Sequence, residues 1–302
     1  MGRLGFEGRV ALVTGAGGGL GRAHALLLAD RGARVVVNDA GVSLAGDGTD
    51  ADVGRAAAVV AEILAAGGEA VADTSSVVTS EGGATMVAGA LERWGRLDIV
   101  VNNAGILADK AFHHMVPEQI EAVLDVHLRG AFHVTGPAWV HMRSRGYGRV
   151  VMTTSNAGLL GNFGQANYAA AKMGLVGLTR VLAAEGARHG IAVNAIAPLA
   201  RTRMTEAVLG PLAERLDPDL VAPLVAWLCH EDCRSTGQIY SAAGGRVARY
   251  FVGLTPGYYH PTLDLDDLAA HWDTVGDEAG YTVPSGPADE LVQLVARFST
   301  GT

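Results

Sequence analysis

Arg9-Val-Ala-Leu-Val-Thr-Gly-Ala-Gly-Gly-Gly-Leu-Gly21 is the stretch whose reading decides the fold. A short β-type run from Arg9 to Thr14 enters a glycine turn, and a helical pattern from Arg22 to Arg31 leaves it. Strand, glycine turn and helix in that order are the context a dinucleotide site needs. Gly15, Gly19 and Gly21 give G-x-x-x-G-x-G rather than the commoner G-x-G-x-x-G. The physical roles are similar: the backbone can pass close to a pyrophosphate, and the helix N-terminus faces its charge. Gly15, Gly19, Leu20 and Gly21 are therefore candidate cofactor contacts. A tight turn without a ligand gives the same local pattern, so the turn does not decide function alone.

The pattern repeats outward. Ala33 to Asn38 reads as a second strand, and Asp39 ends it. A carboxylate there can accept both adenosine ribose hydroxyls and repel a 2′-phosphate, which predicts NAD rather than NADP. The plain alternative is a solvated turn aspartate. The polar segment 41–52 reads as a loop with no assigned role. A helix over 52–66 and a strand over 69–72 follow, with Asp73, Ser75 and Ser76 placed for an adenine contact. After a helix over 82–94, the strand Leu97-Asp-Ile-Val-Val101 runs into Asn102-Asn-Ala-Gly105. The small residues there let the backbone approach a cofactor, through Asn103, Ala104 and Gly105. Later come a helix carrying Val126 to Gly130, a strand over 191–197 ending at Pro198, a helix over 218–231 and a short strand over 238–240. The turn-rich stretch 199–205, with Thr202, could close over a nicotinamide. Strands alternating with helices at this rhythm imply right-handed crossovers. The expected fold is α/β, a Rossmann-type doubly wound parallel sheet of about seven strands with helices on both faces, plus a C-terminal extension. The domain expected is 1–245, with 246–302 packing on the core or a dimer partner.

Composition bounds the function. The chain has 302 residues, 49% of them apolar and 18% charged, which suits a well-filled globular core. A net charge of −8 argues against nucleic acid as a partner. No apolar run approaches the roughly 18 residues of a membrane span, and no signal peptide or peroxisomal tripeptide is read at the ends. Cys229 and Cys233 sit four apart in a helical pattern, where a local disulfide is strained. No further ligand cluster completes a zinc site around them. Reduced cysteines are the expectation, and with them a cytoplasmic location and no metal.

Tyr168-Ala-Ala-Ala-Lys172 carries the chemistry. Residues four apart stand on one face of a helix. An ammonium beside a phenol favours phenolate, so the tyrosine's pKa is expected to fall from its reference of about 10. A phenol tuned towards neutrality exchanges a proton with an alcohol oxygen. Ser155 ends the apolar run Arg149-Val-Val-Met-Thr-Thr-Ser155, read as a buried strand that brings its hydroxyl near the tyrosine.

The glycine turn, Asn102-Asn-Ala-Gly105, Ser155 and Tyr168-x-x-x-Lys172, in this order, resemble the short-chain dehydrogenase/reductase family over about residues 5–245. A narrower likeness lies in Val126-His-Leu-Arg-Gly130, Gly161-Asn-Phe-Gly-Gln-Ala-Asn-Tyr168, Arg203-Met-Thr205 and Trp227-Leu-Cys-His230. These resemble the (3R)-hydroxyacyl-CoA dehydrogenase unit of peroxisomal multifunctional enzyme type 2, also called 17β-hydroxysteroid dehydrogenase type 4. The resemblance continues through His260-Pro261 and Ala270-His-Trp272 and implies a free-standing version of that unit. It implies Tyr168 as the base, and Lys172 as the residue that tunes it and bonds the nicotinamide ribose. Ser155 then stabilises the substrate oxygen. Many family members have asparagine where this chain has His127, a residue the branch shares; His127 is expected to hold a proton-relay water. Its plain alternative is a histidine packed on the sheet. At Ser75 the branch usually carries an aspartate.

The implied reaction is NAD-dependent oxidation of a (3R)-hydroxyacyl-CoA to the 3-oxoacyl-CoA. A CoA substrate needs a basic lip, for which Arg201, Arg203 and Arg143 or Arg145 are candidates. His113 and His114 are expected at a loop or helix start near the pocket. The alternatives are a steroid or other secondary-alcohol dehydrogenase with the same site, and a dinucleotide-sensing scaffold without turnover. A carrier-protein reductase fits less well, because Asp39 disfavours NADPH. The aromatics of the tail, among them Trp272 and Phe298, are expected to pack on the main domain or a neighbouring subunit. A late helix over 288–297 suits that role, in a homodimer or higher homo-oligomer.

Overall fold

A computed structural model describes residues 3–42, 52, 54–202 and 210–300. The chain divides into two compact units, 1–249 and 250–302. In the first, strands β1 (Val10–Thr14), β2 (Arg34–Asn38), β3 (Glu69–Asp73), β4 (Ile99–Asn102), β5 (Gly148–Thr153), β6 (Ile191–Leu199), β7 (Ile239–Ala243) and β8 (Arg246–Tyr250) form one sheet. The order is β3-β2-β1-β4-β5-β6-β7-β8. All pairs from β3 through β7 are parallel. Such a sheet is covered on both faces, so its strands read as unbroken apolar runs. Val10 to Val13 and Ile99 to Val101 are fully buried.

The crossovers are helices: α1 (Gly19–Asp30), α2 (Gly54–Ala65), α3 (Ser80–Trp94), α4 (Pro117–Leu124), α5 (Gly130–Arg145), α6 (Asn156–Leu160), α7 (Ala166–Gly186) and α8 (Ala222–Cys229). Chain order reverses between β1 and β4, which opens a crevice at the carboxyl ends of those two strands. The glycine turn follows β1, and Asn103 follows β4, so both expected cofactor segments arrive there.

Three elements differ from the expectation. An eighth strand, β8, follows β7 through Gly244 and Gly245, both at positive φ (53° and 83°), the geometry of a two-residue hairpin turn. The helix expected over 218–231 is a 3₁₀ turn at Pro218–Leu220 followed by α8, since Pro218 and Pro223 each favour the start of a helical segment over its interior. The sixth strand runs past Pro198 to Leu199, with Pro198 paired opposite Ala242. Cys229 and Cys233 are buried and free, and burial pushes the Cys229 thiol up.

The second unit holds α9 (Leu265–Ala270), α10 (Trp272–Gly276) and α11 (Pro287–Thr300). Three ring pairs lie within it. Tyr258 stacks on His271 at 4.2 Å, Phe251 on Tyr281, and Tyr259 meets Phe298. Among the described residues, no helix is long and apolar enough to cross a membrane.

Candidate active site

One cleft of about 930 Å³ opens at the carboxyl edge of the sheet. Gly15, Gly19, Leu20, Asp39, Ser75, Ser76, Asn103, Ala104, Gly105, Pro198 and Thr202 line it. So do His127, Ser155, Tyr168 and Lys172.

At one end the turn is held by close backbone approach. Gly15 has φ +61°, and a Cβ there would stand 2.8 Å from Cα of Ala104. Gly21 does not line the cleft; a Cβ on it would lie 2.3 Å from the Gly15 carbonyl oxygen. Its absence of side chain lets α1 close on the turn. The Thr14 hydroxyl accepts from the Asn103 and Ala104 N–H groups, at 3.0 and 3.1 Å. Asn103 Nδ2 donates to the Thr14 and Gly15 carbonyls. The N-terminus of α1 has no side-chain cap, so its N–H groups are available to an anion. Thr202 stands over Gly19, 3.4 Å from where a Cβ would be.

Asp39 is fixed by two backbone donors. Its Oδ2 accepts from Gly17 N–H at 2.9 Å, and its Oδ1 from Gly41 N–H at 2.8 Å. A carboxylate oxygen accepts more than one hydrogen bond, so acceptor capacity remains toward the cleft. Ser75 donates to Asp73 and receives Asn38 Nδ2 on its carbonyl, which locks the wall beside Ser76. An uncapped helix end, a backbone cradle with no room for a Cβ and a pinned carboxylate beyond it together fit a pyridine dinucleotide. Arg34 pairs with Glu69 at 3.0 Å, at the opposite end of β2 from Asp39.

At the other end stand the polar side chains. β5 stops at Thr153, and Ser155 caps α6 by accepting from Ala157 N–H at 3.1 Å. Thr154 Oγ1 donates to the Lys172 carbonyl at 2.6 Å, which ties this corner to α7. Lys172 is buried; its Nζ donates to the Thr153 carbonyl and lies 5.4 Å over the Tyr168 ring centroid. His127 meets Tyr168 edge-on at 5.2 Å. It lies in a π-helical turn, Asp125–Arg129, between α4 and α5. Such turns are rare and collect at functional sites. Its Nε2 is 2.8 Å from the Ile106 carbonyl oxygen, and its buried Nδ1 has no protein partner. Gly105 makes room for it: a Cβ there would be 2.4 Å from His127 Cε1.

The electrostatics depart from the sequence expectation. Tyr168 is pushed above the ordinary phenol range, first by burial; the Ser155 hydroxyl draws it back and the Asp109 carboxylate adds to the rise. Burial pushes Lys172 itself down, to about 7. Both groups leave water together, which destabilises the ammonium as well as the phenolate. The lysine's charge falls instead on His127, which burial and Lys172 hold well below the usual imidazole value.

Among the described residues, the expected basic lip is not assembled. Arg143 and Arg145 end α5, a helix running antiparallel to the strands, just before β5 begins. They therefore lie at the amino edge of the sheet, opposite the cleft. Arg201 is exposed and does not line the cleft, and Arg203 lies outside the described residues with Met204 and Thr205. His113 and His114 form an exposed 3₁₀ turn, Phe112–His114, their rings 4.0 Å apart. The sequence reading missed Asp109, Asn162 and Gln165, all of which line the cleft. Asp109 lies four residues past Gly105, and only the folding of one loop onto another brings it to Gln165.

The short chain dehydrogenase family profile matches residues 9–209. A short-chain type dehydrogenase/reductase of Mycobacterium tuberculosis is 50% identical over 281 residues, covering 92% of this chain and 98% of that protein. The peroxisomal multifunctional enzyme type 2 of Mus musculus is 52% identical over 247 residues, 82% of this chain, which spans 33% of that enzyme. The solved structure of the full-length Drosophila melanogaster multifunctional enzyme type 2 superposes with a TM-score of 0.82 at 38% identity, covering 98% of this chain and 50% of that one. With family profile, sequence and fold agreeing, the chain belongs to the short-chain dehydrogenase/reductase family and is closely related to the dehydrogenase part of peroxisomal multifunctional enzyme type 2.

Proposed function

We propose that this chain is an NAD-dependent dehydrogenase that oxidises (3R)-hydroxyacyl-CoA thioesters to 3-oxoacyl-CoA. The supporting observation is a single cleft with a pinned carboxylate at one end and Ser155, Tyr168 and Lys172 at the other. The bound dinucleotide supplies the hydride acceptor. Gly15, Gly19, Leu20, Asn103, Ala104, Gly105, Pro198 and Thr202 hold it, Ser75 and Ser76 border its adenine, and Asp39 favours NAD by taking ribose hydroxyls and repelling a 2′-phosphate.

Tyr168 takes the alcohol proton as base, and Ser155 donates to the same oxygen, where charge develops. Lys172 binds the nicotinamide ribose and passes the proton on. A void of about 10 Å³, bordered by Thr14, Asn102, His127 and Lys172, has room for roughly one water. His127 Nδ1, otherwise unpartnered, is the group to hold a relay water. The test is reduction of NAD by (3R)- and (3S)-hydroxybutyryl-CoA. Turnover of the (3R) form supports the reading. Turnover of the (3S) form alone, or of a neutral secondary alcohol alone, ends it.

The same proposal includes a homodimer in the cytoplasm. Phe132, Gly136 and Val140 form an exposed stripe at four-residue spacing on α5, and beyond the helix's own backbone and the two adjoining residues no atom lies within 4 Å of a Cβ placed on Gly136. A second copy can bring a helix close there. A monomer in light scattering at micromolar protein would count against it.

A further inference from the structure

The segment after Asn103-Ala-Gly105 is stitched to the first turn of α7. Asn167, itself buried, donates through Nδ2 to the carbonyls of Ala108 and Gln119, at 3.1 and 3.0 Å. Lys110 N–H donates to the Gly164 carbonyl at 2.9 Å. Gln165 Nε2 donates to Asp109 Oδ2 at 2.7 Å, and Gln165 Oε1 accepts from Asn162 Nδ2 at 2.9 Å. Gln165 is the residue before α7, three positions ahead of Tyr168. Asp109, Asn162 and Gln165 all line the cleft.

We propose that Asp109 is a positioning residue of the reaction, fixing through Gln165 the helical turn that carries Tyr168 and keeping a negative charge in the cleft that the phenol lines. The inference rests on the proton-transfer role proposed for Tyr168. Asp125, His127 and Lys172 line the same cleft as Tyr168. Asp125 is tied to Arg129, which also takes Glu121. His127 is held neutral by burial, and Lys172 is turned to the Thr153 carbonyl. Asp109 is the carboxylate whose charge reaches the phenol, and it raises the phenol's pKa. Burial is the larger cause of that rise and Asp109 adds to it, while its hydrogen bond to Gln165 holds the residue that leads into the Tyr168 turn.

Two measurements separate these effects. The first is a tyrosinate absorbance titration of wild type and Asp109→Asn, each with a Tyr168→Phe partner subtracted. Asparagine keeps an acceptor for Gln165 and removes the charge, so the Tyr168 midpoint is expected at lower pH in Asp109→Asn. Coincident midpoints overturn the electrostatic role. The second compares kcat of Asp109→Ala and Asp109→Asn. Loss of the bond is expected to lower kcat about tenfold in Asp109→Ala, with partial recovery in Asp109→Asn. A wild-type kcat in Asp109→Ala overturns the positioning role. The titration needs no substrate, so failure to oxidise any alcohol sinks the functional reading and leaves this one to be judged by the titration.

Discussion

The two ends of the cleft are built differently. The dinucleotide end is made of backbone: a glycine turn at positive φ, an uncapped helix end and a carboxylate held by two N–H groups. The end with Ser155, Tyr168 and Lys172 is made of side chains taken out of water, in which Lys172 is pushed down to about 7 and Tyr168 upward. Backbone geometry follows from residue type and spacing, so it varies little with surroundings. The acidity of a buried phenol depends on everything packed around it. One end is therefore a property of a motif, and the other of a whole environment.

The sharpest way to break this comparison is Tyr168→Phe. Turnover is expected to fall by about 10²–10⁴, the range for loss of a general base. Dinucleotide affinity, followed by fluorescence titration, is expected to hold. Unchanged turnover would favour a sensing scaffold.

Gly21→Val attacks the other end. A side chain 2.3 Å from the Gly15 carbonyl oxygen must displace α1 or the turn. The cost is about 1–3 kcal/mol, read as a lower Tm together with weaker dinucleotide binding. Turnover at saturating dinucleotide is expected to survive better than affinity; equal loss of both would blur the division.

Asp39→Ala sharpens the dinucleotide end alone. Loss of charge-assisted bonds to the ribose is expected to cost about tenfold in affinity for NAD, while NADP improves or holds. Relative kcat/KM values for the two dinucleotides measure it, and a parallel loss for both would contradict the role given to Asp39.

The smallest effect at neutral pH concerns His24, in α1 behind the glycine turn. Both its ring nitrogens are buried without a protein partner, and burial lowers its pKa to about 3. Above its ordinary 6.5 it is neutral folded and unfolded. As pH falls from 6.5 towards 3, the unfolded chain takes a proton that the native chain refuses, so stability is lost across that window. The slope for one proton is about 1.4 kcal/mol per pH unit. His24→Leu is expected to flatten Tm against pH between 6 and 4, and an unaltered slope would refute the assignment. His127 adds its own loss in the acid range, which remains in that variant.

Much of the candidate site was legible because its signals are local. Gly15 and Gly19 sit at positive φ, where only glycine is at ease, and Asp39 ends a strand whose neighbour carries the turn. The spacing of Tyr168 and Lys172 put both on one helix face, and Ser155 follows a buried strand. Arg143 and Arg145 were misplaced because a charge count along the chain does not say which edge of the sheet a helix end reaches. Asp109 and Gln165 went unnoticed because 56 residues separate them and nothing in either neighbourhood marks the pair.

The amino-acid sequence by itself determined the parallel sheet, the crevice at its carboxyl edge and the residue types that line it. Apolar runs, glycines and turn residues act within a few positions of themselves. Only the tertiary structure decided the direction in which Tyr168 and Lys172 titrate, the room for His127 beside Gly105, and the bridge from Asp109 to α7. Each of these depends on how much water is excluded and on which distant groups are brought into contact, and such long-range quantities exist only once the chain has packed.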